Sequence, residues 1–92
     1  MEKKVLNYRI IIEKERSDKK GKYVFNAHCP TLGVADYGNT IDQAIERITS
    51  LIQFHIESLI EEKYPVPIEE DVTTVITSVS IKTPSYAKFT YL

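Results

Sequence analysis

Apolar side chains recur at positions 41, 44, 45, 48, 51, 52, 56, 59 and 60. That is the three-to-four spacing of one face of an α-helix. Thr40 stands just before the stripe, where its hydroxyl can accept from the amide of Gln43 while Gln43 reaches back, a capping box. Asp42 falls in the first turn, where the helix dipole favours negative charge. Tyr64-Pro65-Val66-Pro67 ends the run, because proline disfavours the helical conformation of the residue before it. The spacing predicts a helix over residues 41–63, about 34 Å long. A helix with one apolar face must bury it against another layer, and the rest of the sequence has to supply that layer.

Residues 5–15 alternate, with Leu6, Tyr8, Ile10 and Ile12 on one side and Asn7, Arg9, Ile11 and Glu13 on the other, the pattern of a half-buried strand. Residues 16–21, "RSDKKG", read as a polar turn. Residues 22–28 place Tyr23, Phe25 and Ala27 on one face of a second strand. A loop this short makes the two strands an antiparallel hairpin. Cys29-Pro30 stops the second strand, since proline cannot donate to a ladder. Residues 33–37 are long enough for a short third strand. Residues 72–82, "VTTVITSVSIK", are rich in β-branched side chains and predict a fourth strand buried on at least one face. Residues 84–92 form a tail whose alternation of Ala87, Phe89 and Tyr91 suits a further edge strand.

The order β-β-β-α-β predicts an α+β domain, one sheet covered by one long helix, occupying residues 1–92 as a single unit. A helix between two strands of one sheet favours a parallel, right-handed crossover. The last main strand is therefore expected beside the first, in a mixed sheet of order 3-2-1-4, a partial RNase H-like fold.

Composition excludes several classes. The longest uncharged stretch in the helical region is residues 48–56, too short and too polar to span a bilayer, so no membrane partner is expected. The apolar run near the start is broken by Asn7 and Arg9 with no small-residue cleavage site after it, which argues against a signal peptide. A single cysteine, Cys29, rules out an internal disulfide framework and suits a reducing cytoplasm. Net charge is −1, unevenly spread: +4 over residues 1–28, −7 over residues 29–71 and +2 beyond. The acidic middle is the unusual feature.

No arrangement of residues favours catalysis, and no cofactor or metal is expected. RNase H chemistry needs carboxylates gathered around divalent metal, yet the first strand offers no Asp at its middle. Glu13 and Glu15 lie at its fraying end, and Asp42 and Glu46 face away from the apolar stripe. His28 and Cys29 are adjacent in a strand and point to opposite faces, so they make no nucleophile–base pair. His28 reads as a surface histidine and Cys29 as a small buried hydrophobe. His55 reads as a packing residue at the edge of the helix stripe. The basic cluster Lys14, Arg16, Lys19, Lys20 and Lys22 is diluted by Glu13, Glu15 and Asp18, and reads as a solvated turn.

The stretch "CPTLGVADYGNTIDQAIERI", residues 29–48, resembles the signature of the HicB-like antitoxin family. The positions that carry the resemblance are Pro30, Leu32, Gly33, Gly38, Asn39, Thr40, Gln43 and Ala44. The upstream hairpin and the helix ending in "EEKYPVP" match the family layout as well, so the likeness covers residues 5 to about 82. Asn39 stands where the family usually has Asp, and Gln43 where it usually has Glu. Both keep hydrogen-bonding capacity. The glycines and Thr40 read as architectural: no Lys follows the second Gly and no Gly-x-Gly spacing is present, so a phosphate cradle is not indicated.

The resemblance implies a protein-binding module, not an enzyme, that binds and masks a small basic mRNA-cleaving toxin of the HicA type. The alternatives are a solitary HicB-like domain with another protein partner, or a catalytically degraded RNase H-like protein that binds RNA. Family members often append a DNA-binding domain. The chain, ending at Leu92, leaves no room for one, so direct DNA binding is not expected. The expected partner-binding residues are Asp42, Glu46, Glu57 and Glu61, within roughly 100° of one another on a helix. A homodimer is expected too. The helix should overhang a strand of about 26 Å, yet its stripe continues through Ile56, Leu59, Ile60 and Tyr64. A second copy could cover that overhang through these residues together with Phe89 and Tyr91.

Overall fold

The computed structural model describes residues 5–18, 21–69 and 75–91. Three strands and one helix follow in chain order: β1 (Ile11–Arg16), β2 (Tyr23–Cys29), β3 (Val34–Gly38) and α1 (Ile41–Glu61). The protein is therefore an α+β sheet-and-helix domain. The sheet is antiparallel throughout, with β2 central and the order β1-β2-β3. Ile12 stands opposite Ala27 in the first ladder, and Ala27 stands opposite Asp36 in the second.

α1 lies over β3 and β2. Ala27 and Cys29 from the sheet and Ala44 and Ile48 from the helix are fully buried between the layers. Tyr8, Ile10, Ile12, Phe25, Leu32, Val34 and Ile52 close around them. Burying a side chain the size of Ile48 contributes about 1.5–3 kcal/mol, so this small centre holds the two layers together.

The helix starts as the sequence indicates, with one change in the cap. Thr40 Oγ1 accepts from the Gln43 amide at 3.0 Å, but Gln43 Oε1 accepts from the amide of Asn39, one residue before the cap, at 2.7 Å. At the other end the Lys63 amide donates to Ile60 O and the Tyr64 amide to Leu59 O. Those two bonds close a Schellman motif around Lys63, whose φ of 61° is left-handed. The helix thus stops two residues short of the expected residue 63.

Three of the expected strands differ from expectation. β1 begins at Ile11, not at residue 5, because β2 ends at Cys29-Pro30 and residues 5–10 have no described neighbour to make a ladder with. They still run beside the core, with Tyr8 and Ile10 packed against it. The second correction concerns the fourth strand. Residues 72–74 lie outside the described residues, and residues 75–82 form no strand and are exposed throughout. Residues 84–91 form no edge strand either; they contain a turn in which the Ala87 amide donates to Pro84 O, and residue 92 lies outside the described residues. Alternation makes a segment ready for a sheet, but only a neighbouring strand makes it one.

Candidate functional site

The expected structural motif gathers at one end of the sheet. After β2, the Gly33 amide donates to Cys29 O at 2.8 Å, closing a turn that carries Pro30 and Leu32. Gly33 sits there with a φ of +66°, the left-handed region. Gly38 meets the first turn of α1 so closely that a Cβ would lie 2.4 Å from Ala44 N. Beside it stand Thr40, Gln43 and Ala44, so these residues act together in bringing β3 down onto the helix start.

Asp42, Glu46, Glu57 and Glu61 are all exposed on α1. Gln53 bridges the gap in the arc and donates to Glu57 Oε1 at 2.9 Å. Along one side of this arc runs a hollow of about 560 Å³ between β3 and the helix, which includes Asp36, Tyr37, Glu46, Arg47, Leu51 and Phe54. Arg47 donates to Tyr37 O at 3.2 Å, and its guanidinium lies 5.5 Å from the centre of the Tyr37 ring. Phe54 is 68% exposed at the hollow's wall. An aromatic side chain held out in water beside Tyr37 and an anchored Arg is the kind of residue that dominates protein interfaces. Sequence reasoning did not single out Tyr37 or Phe54. Phe54 falls outside the spacing of the apolar stripe, and that displacement was the available signal.

A second, apolar cleft of about 680 Å³ opens on the other flank of the helix. Leu6, Tyr8 and Ile10 form one wall; Ile52, Ile56 and Ile60 form the other. Two of the expected dimer residues, Ile56 and Ile60, therefore face a cleft whose far wall is residues 5–10 of the same chain. Ile60 and Tyr64 remain more than half exposed, as do Phe89 and Tyr91. Tyr8 closes the cleft's end by donating its hydroxyl to Pro67 O at 2.6 Å. Burial raises the Tyr8 phenol above its ordinary range, helped by Cys29 and the negative charge of Glu69. Glu69 also accepts from the Arg9 amide and pairs with its guanidinium at 3.6 Å.

On the helix-free face of the sheet, Glu13, Glu15, Asn26 and His28 line a shallow hollow. His28 is half-buried there, while Cys29 points into the core as a free thiol. His55 is half-buried on α1. Among the described residues no three His, Cys, Asp or Glu side chains gather as a metal-holding group, and no helix is long and apolar enough to cross a membrane.

A three-stranded sheet under one helix, with an acidic helix edge and a hollow on each flank of the helix, defines a small α+β domain. The chain belongs to the UPF0150 family. It is 44% identical over 69 residues to UPF0150 protein ssr1765 of Synechocystis sp. (strain ATCC 27184 / PCC 6803 / Kazusa), a match spanning 74% of this chain and 81% of that protein. No family model matches the chain, and no solved structure is a significant match.

Proposed function

We propose that this protein is an antitoxin-type binding module of the HicB kind, a cytoplasmic homodimer that masks a small basic mRNA-cleaving toxin of the HicA type. The observation that carries the reading is the exposed acidic arc of α1 bordering a hollow walled by Phe54. A basic, RNA-binding partner would be steered by the carboxylates and anchored by the aromatic ring. The residue pattern at Pro30, Leu32, Gly33, Gly38 and Thr40 supports the same reading. In this proposal residues 75–82 complete the sheet beside β1, giving the order 3-2-1-4 of a partial RNase H-like fold, and the protein is not an enzyme.

Co-expression with the genes flanking its own, followed by pull-down, tests the reading. A small basic protein should co-purify with the wild-type chain. It should be lost when Asp42, Glu46, Glu57 and Glu61 are all replaced by Lys. Surface changes of this kind seldom cost much stability, so the variant should keep its helical circular dichroism. Unchanged capture by the quadruple variant would sink the acidic arc as the binding face. Capture of an acidic protein instead would favour a solitary domain with another partner. Salt-sensitive retention of RNA by the purified chain would favour the RNA-binding alternative. Metal-dependent cleavage of RNA, abolished by Glu13→Gln, would overturn the non-enzymatic assignment.

A further inference from the structure

We propose that residues 75–82 are an exchanged arm: in a dimer, the arm of one copy fills the apolar cleft between residues 5–10 and α1 of the other and adds a strand beside β1. This rests on the dimeric, four-stranded reading above and goes further by saying which chain supplies the strand.

Four observations carry it. The first is the state of the arm. Val75, Val79 and Ile81, at alternating positions with Thr77 between them, are 77%, 79% and 75% exposed. On the opposite face Ser78, Ser80 and Lys82 are polar, while Ile76 at the arm's start is apolar and 83% exposed, so from residue 77 onward the arm has the one-sided pattern of a strand that covers a core. The second is the matching vacancy. Among the described residues β1 is an edge strand, and the cleft next to its approach segment is walled by Leu6, Ile10, Ile56 and Ile60. An apolar strand face and an apolar trough beside a free sheet edge are complementary surfaces.

The third is area. A compact chain of this mass exposes about 5,500 Å², whereas this one exposes 8751 Å². The excess is about 3,000 Å² per copy, well beyond the roughly 800 Å² that each partner contributes to a standard interface. The fourth is direction. Residues 67–69 are tied to residues 8–9 of their own chain, through Tyr8 to Pro67 and Arg9 to Glu69. Pro65 and Pro67 stiffen the approach to that anchor. The molecule as a whole measures 65 × 34 × 20 Å along its principal axes, with a radius of gyration of 18.3 Å. A compact chain of 92 residues would have about 12 Å. Residues 65–69 are thus held against their own chain ahead of the arm, and exchange of identical elements across a two-fold axis needs no new surface.

Light scattering coupled to gel filtration, together with isotope-filtered nuclear Overhauser measurements on a mixture of labelled and unlabelled wild-type protein, tests this. A dimer mass is expected, with contacts between the methyls of Val79 or Ile81 in one chain and those of Ile56 or Ile60 in the other. A monomer mass would overturn both the dimeric reading and the exchange. A dimer whose arm-to-cleft contacts lie within one chain would overturn the exchange alone. A dimer with no arm-to-cleft contact would overturn the docking of the arm. Paired substitution of Val79→Asp and Ile81→Asp, both at exposed positions, should reduce the mass to that of a monomer while the helical signal of α1 persists. A dimer retained in that variant would also overturn the proposal.

Discussion

Gly38 and Ala44 touch where the sheet meets the helix: a Cβ on Gly38 would stand 2.4 Å from the Ala44 amide nitrogen and 2.8 Å from the Gln43 carbonyl carbon. Both atoms belong to backbone in the first helical turn, so no side chain can swing aside to make room. Gly38→Ala must push α1 away from β3, loosening the contact that buries Ala44 and Ile48. Overpacking of this kind costs about 1–3 kcal/mol. Urea unfolding should show the loss as a lowered midpoint with unchanged slope. A midpoint equal to that of wild type would mean that the helix start can shift freely.

The cap beside it predicts a smaller effect. Thr40 Oγ1 satisfies the Gln43 amide, and Gln43 Oε1 satisfies the Asn39 amide. Thr40→Ala should cost about 1 kcal/mol, while Thr40→Ser, which keeps the acceptor, should cost much less. Thermal unfolding followed by circular dichroism distinguishes the two, since about 1 kcal/mol moves Tm by roughly 4–8 °C in a domain of this size. Equal losses from both variants would show that the hydroxyl is not the working group.

At the opposite end of α1, Lys63 adopts a left-handed backbone, φ 61°, that L side chains resist. The Schellman bonds to Leu59 O and Ile60 O fix that conformation. The Lys63 side chain is exposed and can be removed with little loss of packing. Lys63→Gly should therefore stabilise the protein by up to about 1 kcal/mol, the usual penalty of a side chain in this region. A destabilised variant would show that chain stiffness in the unfolded state outweighs the strain.

The hairpin, the third strand and the helix were legible because their signals are local. Asp42 and Thr40 mark the helix start and Pro30 stops β2, each within one turn of chain. Residues 5–10 carry an equally clear alternation and residues 75–82 are rich in β-branched side chains, yet the structure leaves both outside the sheet. Alternation reports which side of a strand is apolar; it does not report which backbone stands next to it, because that depends on elements far away in sequence. The acidic arc was legible from helical geometry alone. Its aromatic neighbours were not, because Tyr37 and Phe54 come from different elements and meet only once β3 and α1 pack.

Tyr8 joins the start of the chain to the segment after the helix, and its hydroxyl makes the pH dependence specific. The neutral phenol donates to Pro67 O at 2.6 Å. Burial, with Cys29 and Glu69 adding to it, raises its pKa above the ordinary value of 10.0. The folded state thus holds the proton more tightly than the unfolded state. A raised pKa contributes stability that is fully present below the unfolded value and is lost as pH rises through the folded one. The loss should therefore fall above about pH 10 and involve release of residues 67–69 from residues 8–9. Urea midpoints measured at about pH 9 and about pH 11 should drop further for wild type than for Tyr8→Phe, which has no phenolic proton to lose. Spectroscopic titration should show a tyrosinate step above about pH 10 that vanishes in Tyr8→Phe. An identical alkaline drop in the two proteins would show that the Tyr8–Pro67 bond makes no contribution to holding the segment.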